Sequence, residues 1–158
     1  MKWSWKIAEF RGIGVYMHAT FLILIGFVLL SHWTAGTGLL KALEGVVFIL
    51  ALFTCVVLHE FGHALMAARF GIKTKDITLL PIGGVARLER MPDDPLQELW
   101  VAIAGPAVNV VIAAVLFVVL LLTTNIAPLE KLTVVSGPFL QRLMIVNLML
   151  IGFNMLPA

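Results

Sequence analysis

Residues 101–122 run for twenty-two positions without an Asp, Glu, Lys or Arg. Such a stretch matches the roughly 20 apolar residues that a helix needs to cross a bilayer. Three further stretches resemble it: residues 16–33, residues 43–70 with few charges, and residues 143–158. A soluble domain carries about 25% charged residues; this chain of 158 residues carries 13%, and 61% of it is hydrophobic. A chain this short has no second domain large enough to bury four apolar helices, so lipid is the expected solvent. Backbone groups in lipid must be satisfied internally, which favours helices. The expected fold is an all-α polytopic membrane protein with about four transmembrane helices (16–33, 43–70, 97–123 and 138–157) and a small membrane-associated β-hairpin at 77–89. Residues 1–158 form a single membrane-embedded core with no internal repeat.

The basic residues set an orientation. Lys2, Lys6 and Arg11 precede the first stretch, and Arg69, Lys73, Lys75, Arg87 and Arg90 lie between the second and third. Lys41 alone separates the first from the second, while Lys131 and Arg142 lie between the third and fourth. The excess of Lys and Arg places the N-terminus and the 69–100 connection in the cytoplasm of a multi-pass cell-membrane protein. The net charge of +2 is spread along the chain, which argues against a nucleic-acid partner. Trp3 and Trp5 suit a membrane–water interface. Cys55 is the single cysteine, so no disulfide framework is expected.

His59-Glu60-Phe61-Gly62-His63 sits inside the second apolar stretch. An acidic group near a helix centre in lipid costs about 2.5–3.5 kcal/mol on insertion scales, so such residues usually face a polar cavity. On a helix, positions four apart share a face. The two imidazoles of His59 and His63 can then reach one ion, and zinc takes such ligands in hydrolytic sites. Glu60 lies about 100° round the helix, placed to act as a general base toward a water rather than as a ligand. Cys55 is one turn earlier, but 55, 59 and 63 span about 12 Å of helix and cannot easily converge; it reads as a buried small side chain. A membrane metal or proton carrier could use the same trio, and Glu60→Gln separates that alternative from a hydrolase.

At these residues the chain resembles the site-2 protease family of intramembrane zinc metalloproteases. Gly14-Val15-Tyr16-Met17-His18-Ala19-Thr20-Phe21 is similar to the family's entry into its first helix. Pro81-Ile82-Gly83-Gly84-Val85 resembles its β-loop, and Gly105-Pro106-Ala107-Val108-Asn109 its next helix. Asn154-Met155-Leu156-Pro157 resembles the opening of an N-x-x-P motif that Asp-Gly follows. The resemblance implies zinc held by His59 and His63, a catalytic base at Glu60, and hydrolysis of a peptide bond in a transmembrane protein substrate. It also implies a third ligand, an aspartate shortly after the N-x-x-P and so beyond Ala158. The chain is therefore expected to be C-terminally truncated, with an inactive relative that binds membrane helices as the alternative. Asp76, Asp93 and Asp94 lie in the 69–100 connection and are not expected to ligate.

Residues 77–82 and 85–89 flank Gly83-Gly84, a two-residue hairpin signal. Pro81 cannot donate to a ladder, which argues for a sheet edge. An exposed edge can accept an unwound peptide as an added strand, so Gly83, Gly84 and Val85 are candidate substrate-binding residues; a plain hairpin is the alternative. Asn154 is a further candidate, for holding substrate or a developing oxyanion by the resemblance, against a packing role. Asn109 is assigned to packing between helices. His18 reads as an interfacial histidine, and 91–95 as a surface turn leading to a helix from about Leu96.

Overall fold

The computed structural model describes residues 3–123 and 137–155. Two strands open the chain, β1 (Ser4–Phe10) and β2 (Ile13–His18), followed by helices α1 (Thr20–Thr34) and α2 (Leu39–Arg69). A second hairpin, β3 (Thr74–Leu80) and β4 (Gly83–Leu88), leads to α3 (Pro95–Thr123) and α4 (Phe139–Met155). Lys131, Pro157 and the last residues of the fourth expected span lie outside the described residues.

The architecture is mostly helical, but it is not all-α. The two hairpins join into one four-stranded mixed sheet, ordered β1-β2-β3-β4. The outer pairs are antiparallel, and β2 runs parallel to β3 with Gly14 opposite Asp76 and Met17 opposite Leu79. Parallel neighbours need a long crossover; here α1 and α2 supply it. The first hairpin corrects the expected start of the first span: residues 16–18 belong to β2, and helix begins at Thr20. Its turn is Arg11-Gly12, both at positive φ (49° and 79°). That pairing matches the twist of the flanking strands and favours glycine at its second position.

The second hairpin also corrects its expected corner. Leu80 pairs with Gly83, so Pro81 and Ile82 make the turn and the two glycines begin β4. Proline's fixed φ suits the first corner position, and its missing N–H costs nothing there. Asp94 accepts the Leu96 N–H at 2.9 Å and Pro95 opens α3, as a first-turn proline can.

Helix α2 is the axis of the molecule. It packs on α1, α3, α4, β3 and β4. On the α1 side the rings of Phe21 and Phe53 meet edge to face at 4.6 Å between centroids. On the α3 side, Gly62 approaches the Ala104 carbonyl too closely for any Cβ. Among the described residues two helices, α2 and α3, are long and apolar enough to cross a membrane. With 31 and 29 residues they reach about 46 and 44 Å, against a hydrocarbon core of about 30 Å. Helices α1 and α4 are apolar but shorter, at 15 and 17 described residues. The outer surface is apolar too: Ile23, Phe27 and Leu30 on α1, and Val111, Val115 and Leu122 on α3, are all exposed.

Candidate active site

The H-E-x-x-H residues occupy the part of α2 where three elements meet. The His59 and His63 rings converge, with Nε2 of one 3.0 Å from Nε2 of the other. His59 is buried and His63 half-buried. Each ring is also held from its far side. His63 Nδ1 lies 2.7 Å from the Val101 carbonyl oxygen, and His59 Nδ1 lies 3.1 Å from the Asn109 side-chain nitrogen. A carbonyl can only accept, so His63 donates from Nδ1, and in the neutral ring Nε2 is bare.

Helix α3 presents Val101, Gly105 and Asn109 at four-residue steps, one stripe of a single face. Gly105 sits between the two bonded residues and directly against the rings. A Cβ there would fall 2.7 Å from His59 Nε2 and closer still to His63 Nε2. Glycine thus keeps clear the space beside both ring nitrogens. That cradle, with two imidazoles braced from behind, fits a zinc ion as part of its ligand set; a catalytic zinc normally takes three protein ligands. Among the described residues, no group of three or more His, Cys, Asp or Glu side chains is placed to hold a metal.

Strand β4 crosses α2 at Glu60. The Ala86 N–H donates to Glu60 Oε2 at 3.2 Å. Gly84 packs so closely that a Cβ would meet Glu60 Cγ at 2.8 Å and Val56 Cγ1 at 2.9 Å. Glu60 lies between two small cavities. One, of about 160 Å³, is lined by Val56, His59, Glu60, Gly83, Gly84 and Asn154, among others. The other, of about 230 Å³, is lined by Glu60, His63, Ala86, Pro92 and Glu98, among others. A larger cavity of about 450 Å³ at the α1–α2 turn has no ionisable group in its lining and is remote from this chemistry.

The fold therefore brings His59, Glu60, Gly83, Gly84 and Asn154 around one cavity. It does not bring in the Val85 side chain, which is exposed. The Asn154 amide nitrogen donates to the Leu150 carbonyl within α4 at 2.8 Å. Cys55 is buried with its sulfur facing the Asn147 amide at 3.4 Å. Each aspartate is engaged elsewhere: Asp76 with Arg87, Asp93 with Arg90, Asp94 at the start of α3. Some contributors went unrecognised in the sequence, the Val101 carbonyl that holds His63 among them. Ala86 acts through its backbone, and Glu98 carried no local motif. Asn109 was assigned to packing, but its amide faces a histidine fifty positions away.

The pattern of peptidase family M50 matches residues 47–135. A zinc metalloprotease from Methanocaldococcus jannaschii is 36% identical over 162 aligned positions, covering 100% of this chain and 42% of the relative. Stage IV sporulation protein FB from Bacillus subtilis is 42% identical over 71 positions, covering 44% of this chain and 23% of that protein. The chain thus spans less than half the length of these curated relatives. Among solved structures, a site-2 protease from Methanocaldococcus jannaschii superposes with a TM-score of 0.71 at 35% identity, over 99% of this chain and 66% of that one.

Proposed function

The chain belongs to peptidase family M50, the site-2 proteases, and from that premise we propose that it carries the core of an intramembrane zinc endopeptidase acting on transmembrane substrates. The observation that carries this reading is the meeting of two braced imidazoles beside a glutamate on a membrane-length helix. His59 and His63 would hold the zinc through Nε2. We take the third ligand to be an aspartate following the N-x-x-P of 154–157, as the resemblance implies. When bound, zinc would polarise a peptide carbonyl and lower the pKa of water to about 7.

Glu60 then has the task of a general base: it takes a proton from the attacking water and delivers it to the departing amide nitrogen. The cavities on both sides of its carboxylate give room for water and for a peptide. Strand β4 is the terminal strand of the sheet, and Ala86 turns its N–H outward from β3 toward Glu60. Alternation along an antiparallel strand turns the Gly84 amide the same way. An unwound substrate segment would pair along this edge and bring its scissile bond to Glu60 and the histidines. We place α1 and α4 in the membrane beside α2 and α3, giving four spans, with the N-terminus and the 69–100 connection in the cytoplasm. The uncharged, apolar outer surface of α1 supports its own place in the membrane.

The test is cleavage of a transmembrane reporter by the full-length protein in lipid vesicles. Glu60→Gln should lower the rate by about 10²–10⁴-fold, the usual weight of a general base, while the protein keeps its zinc. Undiminished cleavage by that variant would refute the assignment.

A further inference from the structure

The Asn109 side chain is fully buried, and its Oδ1 has no hydrogen-bond partner. Its Nδ2 faces His59 Nδ1 at 3.1 Å. A carboxamide has the same shape in either of its two orientations, yet the two do opposite things to the ring. With the nitrogen inward, the amide donates to His59 Nδ1, and the ring proton must sit on Nε2. That proton points at His63 Nε2, 3.0 Å away and bare because Val101 fixes its tautomer. The arrangement suits two histidines bonded to each other, and it denies Nε2 of His59 to a metal. With the oxygen inward, Oδ1 accepts from His59 Nδ1 and the amide nitrogen takes the unpartnered position; Nδ1 then carries the ring proton, and Nε2 presents its lone pair.

We propose that Asn109 is a positioning residue for His59: its carboxamide oxygen accepts the Nδ1 proton and so sets the tautomer that ligates zinc through Nε2. The carboxamide can also turn and satisfy the other tautomer when His59 and His63 are bonded together. His63 has no such freedom, because its partner is a backbone carbonyl. The two ligands are thus braced differently, one fixed and one adjustable. Outer partners of ligating histidines act on metal affinity in this way. The proposal rests on the assignment of His59 as a zinc ligand.

The experiment is zinc affinity of the full-length protein by chelator competition, with thermal unfolding to check each variant. Asn109→Leu, similar in volume but apolar, should weaken zinc binding by about 10–100-fold. Asn109→Asp, which when ionised can only accept, should hold zinc within about threefold of wild type, since carboxylates serve the same outer role. Nitrogen-15 histidine spectra of the zinc-loaded wild type should show His59 protonated at Nδ1. Unchanged affinity in Asn109→Leu, equal loss in Asn109→Asp and Asn109→Leu, or His59 protonated at Nε2 would overturn the proposal while leaving the metal site standing. Wild-type protein that holds no zinc, or His59→Ala that holds it as tightly as wild type, would overturn the metal site as well.

Discussion

The sheet ends in two hairpins, and its two free edges are treated in opposite ways. At the β1 edge, a register shift between Lys6 and Ala8 bends the strand, and Lys6 pairs with Glu9 on the exposed surface. Bulges and charges are the usual means of keeping an edge from pairing. At the β4 edge, Gly84 and Ala86 lie against α2, where the Ala86 N–H is held by the Glu60 carboxylate, and Arg87 pairs with Asp76 of β3. One edge is closed by its own side chains, and the other meets the catalytic candidates through its backbone, with glycine and alanine beside them. The sheet is therefore not a decoration on a helical bundle. Its far hairpin anchors the structure, and its near hairpin forms one wall of the site.

Matched substitutions at the two edges test that contrast. The largest effect is expected from proline. Ala86→Pro removes an outward amide beside Glu60 and should lower cleavage by about tenfold, the upper end of what one backbone hydrogen bond contributes at roughly 0.5–1.5 kcal/mol. Glu9→Pro removes the equivalent amide of β1 and should leave cleavage nearly unchanged. Zinc content should hold in both. Equal losses in a kinetic assay would erase the distinction between the edges. A smaller and more selective effect on cleavage, read chiefly in stability, is expected from added methyl groups. Gly84→Ala drives a Cβ into Glu60 and Val56, and overpacking of this kind costs about 1–3 kcal/mol. Gly12→Ala meets nothing within 4 Å but keeps a φ of 79°, at a cost of about 1–2 kcal/mol. Both should therefore lower the unfolding temperature, and only Gly84→Ala should also slow cleavage.

The smallest effect concerns the ion pairs. Asp76 is buried and receives two hydrogen bonds from Arg87, one of 2.8 Å from Nε, across β3 and β4. The Arg87 hydrogen bonds hold its carboxyl below the usual carboxylate range. A depressed folded-state pKa contributes stability that is present above the unfolded value of about 3.9 and is lost as pH falls through the folded one. Thermal unfolding of wild type should weaken across that acid window, and Arg87→Gln should flatten the dependence. The Lys6–Glu9 pair is exposed, so Glu9→Gln should leave the acid profile as it is.

What could be read from the sequence was local. His59, Glu60 and His63 share one helix, so their spacing alone sets their relation, and an apolar setting makes ionisable residues conspicuous. Helices α2 and α3, and α4 over its described residues, were legible as helices for the same reason. The Pro81 hairpin was visible but shifted by two residues, because Gly83-Gly84 imitates a turn, whereas Gly84 serves close approach to α2 and Gly83 takes a φ of 143° at the start of β4. The β1–β2 hairpin was missed: Trp3 and Trp5 look like interfacial anchors, and the pairing of β2 with β3 joins residues about sixty positions apart. Asn109 and Ala86 act on the site through contacts of 50 and 26 positions. No periodicity within one element carries that information.

The central claim is a zinc ion held by His59 and His63. X-ray absorption at the zinc edge, on the full-length protein loaded with one equivalent of zinc, tests it directly. The account predicts the scattering pattern of two imidazoles, with nitrogen at about 2.0–2.1 Å. A spectrum without imidazole scattering, or one unaltered when both histidines are replaced by alanine, would contradict it.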